Sequence, residues 1–134
     1  MLPYHYEHHV RVRYAETDKM GVCWHGNYLL YLEEARGEAL RATGHGSYAD
    51  MEAAGVMTPI VKINLNYHRS TFYDDLLTIH VYVEEPVRSK IKFRYEVVNE
   101  AGEAILDGVT ELAFITADTH QPCRPPLALR TFFK

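Results

Sequence analysis

Val10, Val12 and Tyr14 alternate with Arg11 and Arg13 near the start of the chain, the period-two signature of a half-buried strand over about His8 to Tyr14. The alternation then stops. Ala15 to Gly26 contains Thr17, Asp18, Gly21 and Gly26 with no sustained period, which reads as a loop. From Asn27 the period lengthens: Tyr28, Tyr31, Leu32, Ala35, Ala39 and Ala42 follow i, i+3, i+4, i+7 spacing, and Thr43-Gly44 supplies a C-terminal stop. This predicts a helix over Asn27 to Thr43 with Asn27 as its N-cap. Leu29, Leu30 and Leu40 widen the apolar face until the helix start is greasy nearly all round, so the helix is expected to be wrapped by other elements.

A short helix over Ser47 to Ala54 precedes Gly55, and the rest reads as strand. Val56 to Asn66 carries Ile60, Val61, Ile63 and Leu65; Leu76 to Glu84 alternates through Leu77, Ile79, Val81 and Val83; Ile91, Phe93, Tyr95 and Val97 alternate next. Asn99 to Gly102 is a turn, and Ala104 to Thr116 is the last strand. Helices early and antiparallel strands late describe an α+β protein, with one sheet of about five strands curled around one long helix.

Composition bounds what such a fold can do. The chain has 134 residues, which suits a single domain, with 47% hydrophobic and 24% charged residues as in an ordinary globular protein. Fourteen Lys and Arg against eighteen Asp and Glu give a net charge of −4, which argues against nucleic acid or anionic lipid as a partner. No apolar run approaches the roughly 20 residues of a membrane helix, and the polar, His-rich N-terminus is unlike a secretion signal, so no membrane insertion is expected. Cys23 and Cys123 lie far apart, which suits reduced thiols and a cytoplasmic location.

The run Tyr14-Ala15-Glu16-Thr17-Asp18-Lys19-Met20-Gly21-Val22-Cys23-Trp24-His25-Gly26-Asn27-Tyr28, followed by Tyr31, Glu33, Ala35 and Arg36, closely resembles the signature of the hotdog-fold thioesterases of the 4-hydroxybenzoyl-CoA and YbgC-like branch. The resemblance implies hydrolysis of an acyl-CoA thioester to a free acid and coenzyme A. It places the chemistry on Asp18 and the polarisation of the thioester carbonyl on backbone N–H groups near His25 and Gly26. It further implies a homodimer or dimer of dimers, paired sheet edge to sheet edge with the site at the interface. At position 25 this chain has histidine, as YbgC-like members do, where the 4-hydroxybenzoyl-CoA type has tyrosine.

The residues themselves suit that chemistry. A helix N-terminus offers unpaired N–H groups and about half a positive charge to an oxyanion. Asp18 can attack the carbonyl to give a mixed anhydride or take a proton from an attacking water, and it also fits a plain loop-capping role. His25 can bind substrate or position water, Gly26 opens the backbone to close approach, and Tyr14 can orient Asp18. Cys23 with His25 is the rival nucleophile and base, set against Cys23 as a small buried hydrophobe. Glu33 or Glu34 can face the site, although paired glutamates in a helix more often form a solvated face, and Arg36, i+3 from Glu33, suits a simple salt bridge.

Arg88, Lys90, Lys92 and Arg94 share one face of a strand, with Arg88, Ser89 and Lys90 best placed to bind coenzyme A phosphates; the alternative is a solubilising face. Arg124 and Arg130 are weaker candidates of the same kind. His5, His8 and His9 have no carboxylate or cysteine spaced to complete a metal site, so no metal is expected, and no cofactor beyond the coenzyme A of the substrate. The absence of a G-x-S-x-G elbow, a P-loop and G-x-G-x-x-G sets aside serine hydrolases, NTPases and dinucleotide enzymes. Two other readings stay open: a hydrolase of acyl carrier protein thioesters, and a non-catalytic acyl-CoA binding module.

Overall fold

A computed structural model describes all 134 residues. The order is β1 (Tyr4–Arg11), α1 (Asn27–Ala42), α2 (Tyr48–Ala53), β2 (Val56–Met57), β3 (Ile60–Tyr67), β4 (Leu76–Val83), β5 (Lys90–Val98), β6 (Ala104–Ala113), β7 (Ile115–Thr116) and α3 (Leu127–Phe132). Five strands form an antiparallel sheet ordered β1-β4-β5-β6-β3, and β2 pairs with β7 alone.

Strand alternation drives the core. In β4 every second residue is buried, and β5 buries Ile91, Phe93, Tyr95 and Val97 while Lys90, Lys92 and Glu96 face out. These inward faces and Leu32, Ala35, Ala39 and Leu40 of α1 join one continuous apolar core. Each fully buried Leu, Ile, Val or Phe contributes about 1.5–3 kcal/mol relative to exposure, so the sheet and α1 stabilise each other.

Several expectations need correction. The first strand begins at Tyr4 and ends at Arg11, because β4 supplies partners from Val83 back to Leu76. Tyr14 therefore lies beyond the strand, in a 3-10 turn over Tyr14–Glu16. Asn27 is the first helical residue and Gly26 the N-cap, with no side chain capping the helix. The helix is not wrapped on all sides: Leu29 is 38% and Leu30 59% exposed, since the sheet covers one face only. Val56 to Asn66 is broken at Thr58-Pro59, where proline has no N–H to donate and the chain steps from β2 to β3. The last predicted strand divides likewise into β6 and β7, and α3 follows Pro125-Pro126, a tail in which the short apolar pattern predicted no helix. No helix is long and apolar enough to cross a membrane.

Candidate active site

The loop joining β1 to α1 is tightly folded. Arg13 N–H donates to Glu16 Oε1 at 2.8 Å, Asp18 N–H to Val22 O at 2.9 Å, and Gly21, at φ +80°, closes the tip by donating to Asp18 O at 3.0 Å. Thr17 faces Cys23 across the turn, and Cys23 N–H donates to Thr71 O at 2.8 Å, which ties the loop to the segment before β4. Asp18 Oδ1 accepts the Met20 N–H at 2.8 Å, so the loop-capping role is real, but it occupies one oxygen and leaves Oδ2 without a partner in the chain.

Asp18 opens onto a cleft of about 350 Å³ whose wall also holds Cys23, His25, Tyr28, Tyr67 and His68. The cleft lies against the start of α1. Asn27 N–H donates to Trp24 O and Tyr28 N–H to His25 O, while the N–H groups of His25 and Gly26 donate to nothing in the chain. Unpaired amides at the positive end of a helix suit a developing oxyanion. Gly26 is dictated by space, since a Cβ there would collide with the Trp24 ring, and its φ of −65° is ordinary. Gly26 itself is half-buried and is not among the residues lining the cleft.

Beneath the loop lies a buried polar layer that the sequence pattern did not reveal. Tyr31 OH donates to Glu16 Oε1 at 2.7 Å and stands 3.6 Å from Cys23 Sγ; Tyr28 OH meets Thr71 Oγ1 at 2.7 Å. Burial pushes the Cys23 thiol pKa up, more than the surrounding hydroxyls lower it, so Cys23 is a thiol at neutral pH and not a nucleophilic thiolate. For Glu16 burial alone would raise the pKa, but the Arg13 amide, the Tyr31 hydroxyl and the Arg13 guanidinium together hold it below the usual carboxylate range. Burial, reinforced by Glu16, raises the Tyr31 hydroxyl far above its ordinary value. An alternating or helical pattern flags apolar faces; Glu16 sits in neither, and only its place in the motif marks it.

Tyr14 does not join this group. It is 77% exposed, its ring packs edge-on against Tyr73 at 5.6 Å, and its hydroxyl makes no hydrogen bond to Asp18. Glu34 turns to His8 at 2.8 Å. Arg36 is buried and keeps the expected ion pair with Glu33, at 4.0 Å, while its Nε donates to Tyr48 OH at 2.8 Å. His5 contacts His80 and His9 contacts Glu7, and no group of three or more residues suits a metal ion.

The basic stripe divides. Lys92 pairs with Glu85, and Arg94 with Glu84 and Glu96. Arg88, Ser89 and Lys90 line an open hollow of about 390 Å³ with no ion pair to either cation. That hairpin follows Val83, whereas the Asp18 loop lies beyond Arg11, opposite Leu76. Within one protomer the two sites are separated by the length of β4, about 23 Å at the usual strand rise.

Comparison with known proteins identifies the family. Residues 20–105 match the family model described as thioesterase superfamily. A Bacillus subtilis protein named as a putative acyl-CoA thioesterase, YneP, is 33% identical over 113 residues, covering 84% of this chain and 81% of its own. The Escherichia coli acyl-CoA thioester hydrolase YbgC is 32% identical over 90 residues, 67% of this chain and 66% of its own. Among solved structures, a DHNA-CoA thioesterase from Staphylococcus aureus superposes with a TM-score of 0.85 at 42% identity, covering 90% of this chain and 80% of that one. With its five-stranded antiparallel sheet packed on α1, the chain belongs to the thioesterase superfamily, as an acyl-CoA thioesterase of the hotdog fold.

Proposed function

We propose that Asp18 and the free amides of His25 and Gly26 carry out the hydrolysis. The observation that carries this reading is that Asp18 and His25 line one cleft at the start of α1, with a carboxylate oxygen uncommitted and the N–H groups of His25 and its neighbour Gly26 unpaired. The amides take the charge that develops on the thioester oxygen as the carbonyl is attacked. Asp18 supplies the attack, either as nucleophile, with the coenzyme A thiolate leaving and water then hydrolysing the mixed anhydride to free acid and carboxylate, or by removing the proton of a water that attacks and expels the thiolate. His25, exposed at the cleft wall, contacts substrate or water. No cofactor takes part; coenzyme A arrives as part of the substrate. Free thiols at both cysteines favour a reducing cytoplasm.

The working unit is a homo-oligomer built on a dimer. Strand β3 is a sheet edge, and its Val61, Ile63 and Tyr67 are 51%, 45% and 50% exposed, the kind of edge that a second copy covers. Antiparallel pairing of two β3 edges sets Tyr67, beside the cleft, near Ile60 of the partner subunit. The end of the sheet carrying the partner's Arg88, the partner's Ser89 and the partner's Lys90 then faces the Asp18 cleft, two or three strand spacings away, about 10–15 Å. The coenzyme A phosphates bind that hairpin across the interface while the thioester reaches Asp18.

Asp18→Asn tests the core of this reading, because the amide oxygen still accepts the Met20 N–H and the loop is retained. The variant is expected to bind acyl-CoA with unchanged affinity in a calorimetric titration and to lose about a hundredfold or more in turnover. A folded variant with wild-type turnover contradicts it.

A further inference from the structure

Glu16 has no part in the chemistry just described, yet it is the most heavily bonded residue of the loop. Its carboxylate is 10% exposed and is absent from the cleft wall. Oε1 accepts from the Arg13 N–H at 2.8 Å and from Tyr31 OH at 2.7 Å, and Oε2 accepts from the Arg13 guanidinium at 3.1 Å. Its carbonyl oxygen accepts from the Trp24 N–H at 2.9 Å and from Asn27 Nδ2 at 2.8 Å. Trp24 and Asn27 flank the His25-Gly26 pair on either side. One residue therefore joins the exit of β1, the underside of α1 and both ends of the segment that presents the unpaired amides.

We propose that Glu16 is a positioning residue for hydrolysis: its side chain pins the loop to Tyr31 of α1 and so fixes the Asp18 carboxylate relative to the His25 and Gly26 amides. The inference rests on the reading of Asp18 and those amides as the reacting groups. The bonds from the Trp24 N–H and the Asn27 side-chain amide reach only the carbonyl of Glu16, and without an anchor on the Glu16 side chain that carbonyl is free to swing with the loop. Tyr31 provides the anchor because it lies one turn into α1 and is itself 4% exposed, held edge-on by Tyr28 at 5.9 Å. Asp18 follows two residues after Glu16, so a displacement at Glu16 is transmitted to the carboxylate and to the amides in different directions. Misplacement of reacting groups by about an ångström costs up to a hundredfold in rate.

The chemistry of the anchor separates it from a requirement for charge. Both donors to Oε1 are neutral, an amide and a phenol, and an amide oxygen still accepts both, more weakly than the carboxylate but in the same geometry. The ion pair at Oε2 involves an Arg13 side chain that is 76% exposed, which makes it a weak and screened contact. Glutamine at this position preserves the anchor and removes only that pair.

The test compares Glu16→Ala, Glu16→Gln, Tyr31→Phe and, alongside, Asp18→Asn, each as the full chain, by coenzyme A thiol release from one acyl-CoA with kcat and KM determined separately. Glu16→Ala and Tyr31→Phe are expected to lower kcat by about tenfold to a hundredfold with KM within about twofold, because the ground-state contacts to coenzyme A lie elsewhere. Glu16→Gln is expected to restore kcat to within about threefold of wild type, which a general loss of stability would not produce. Tyr31→Phe keeps the buried ring and serves if Glu16→Ala does not fold. Wild-type kcat in folded Glu16→Ala and Tyr31→Phe overturns the inference, as does a Gln variant as impaired as Ala. If those variants are unimpaired while Asp18→Asn is inactive, the inference alone falls; an active Asp18→Asn removes the reading on which it rests.

Discussion

Reversing the charges of Arg88 and Lys90 probes coenzyme A binding apart from carbonyl chemistry. Both side chains are exposed and neither is paired, whereas Lys92 and Arg94 are already committed to glutamates. An exposed ion pair contributes about 0.2–1 kcal/mol, and reversal replaces attraction by repulsion, roughly doubling the effect at each residue. Two residues then give about 1–4 kcal/mol, or a rise in KM of about fivefold to several hundredfold at low salt, with tenfold per 1.4 kcal/mol. Turnover at saturation should stay within about twofold, since phosphate contacts are equal in ground and transition states. The assay is thiol release across a range of acyl-CoA concentrations at two ionic strengths: added salt should raise KM for the wild type and much less for Arg88→Glu/Lys90→Glu. The same variant tests whether the hairpin acts on the neighbouring subunit's cleft. Mixed by denaturation and refolding with Asp18→Asn and assayed at low substrate, the two crippled proteins should recover about a quarter of the wild-type sites, because half the dimers are mixed and each carries one intact pairing. An unchanged KM refutes the phosphate role, and no recovery on mixing refutes the assignment across the interface.

Two further outcomes follow from burial and charge. Glu16 is held ionised in the fold below its ordinary value of 4.5, so it stabilises the protein above that pH and the contribution is lost as pH falls through the lowered folded value; thermal melts should show wild type more stable than Glu16→Gln near neutrality, with the gap closing below about pH 4. A gap that widens on acidification contradicts the buried anion. Ile63→Lys places a charge among the exposed apolar residues of β3 and should convert dimers to monomers in sedimentation while lowering kcat/KM, and a fully active monomer contradicts an interfacial site.

The periodic elements were legible because burial imposes a period. Alternation in β4 and β5 and the stripe of α1 each match a face that the structure buries. Boundaries failed where backbone chemistry outweighs period: Pro59 interrupts a run of Val and Ile that otherwise reads as one strand, and Tyr14 continues an alternation whose partner strand has already ended at Leu76. Leu29 and Leu30 read as buried because apolar content alone does not distinguish a core face from an exposed one. Asp18, His25 and Gly26 stand out as candidates only through the motif, since their spacing in a loop has no periodic signature, and of the three the cleft wall holds Asp18 and His25. Glu16, Tyr31 and Thr71 were missed in their roles because a buried polar layer is assembled from distant parts of the chain, and Tyr67 and His68 reach the cleft only through the return of β3. For Arg36 the i+3 spacing marks the ion pair with Glu33, while its bond to the Tyr48 hydroxyl on α2 has no local signal.

The most direct test of the central claim sets Asp18→Asn beside Cys23→Ala, both in the cleft wall, in one thiol-release assay on the same acyl-CoA with folding checked by circular dichroism. The buried, un-ionised thiol of Cys23 predicts that its alanine variant loses on the order of 1 kcal/mol of stability and keeps most of its turnover. Asp18→Asn is predicted to fold and to lose turnover by about a hundredfold or more. A folded, inactive Cys23→Ala together with an active Asp18→Asn would contradict the account and assign the attack to the cysteine.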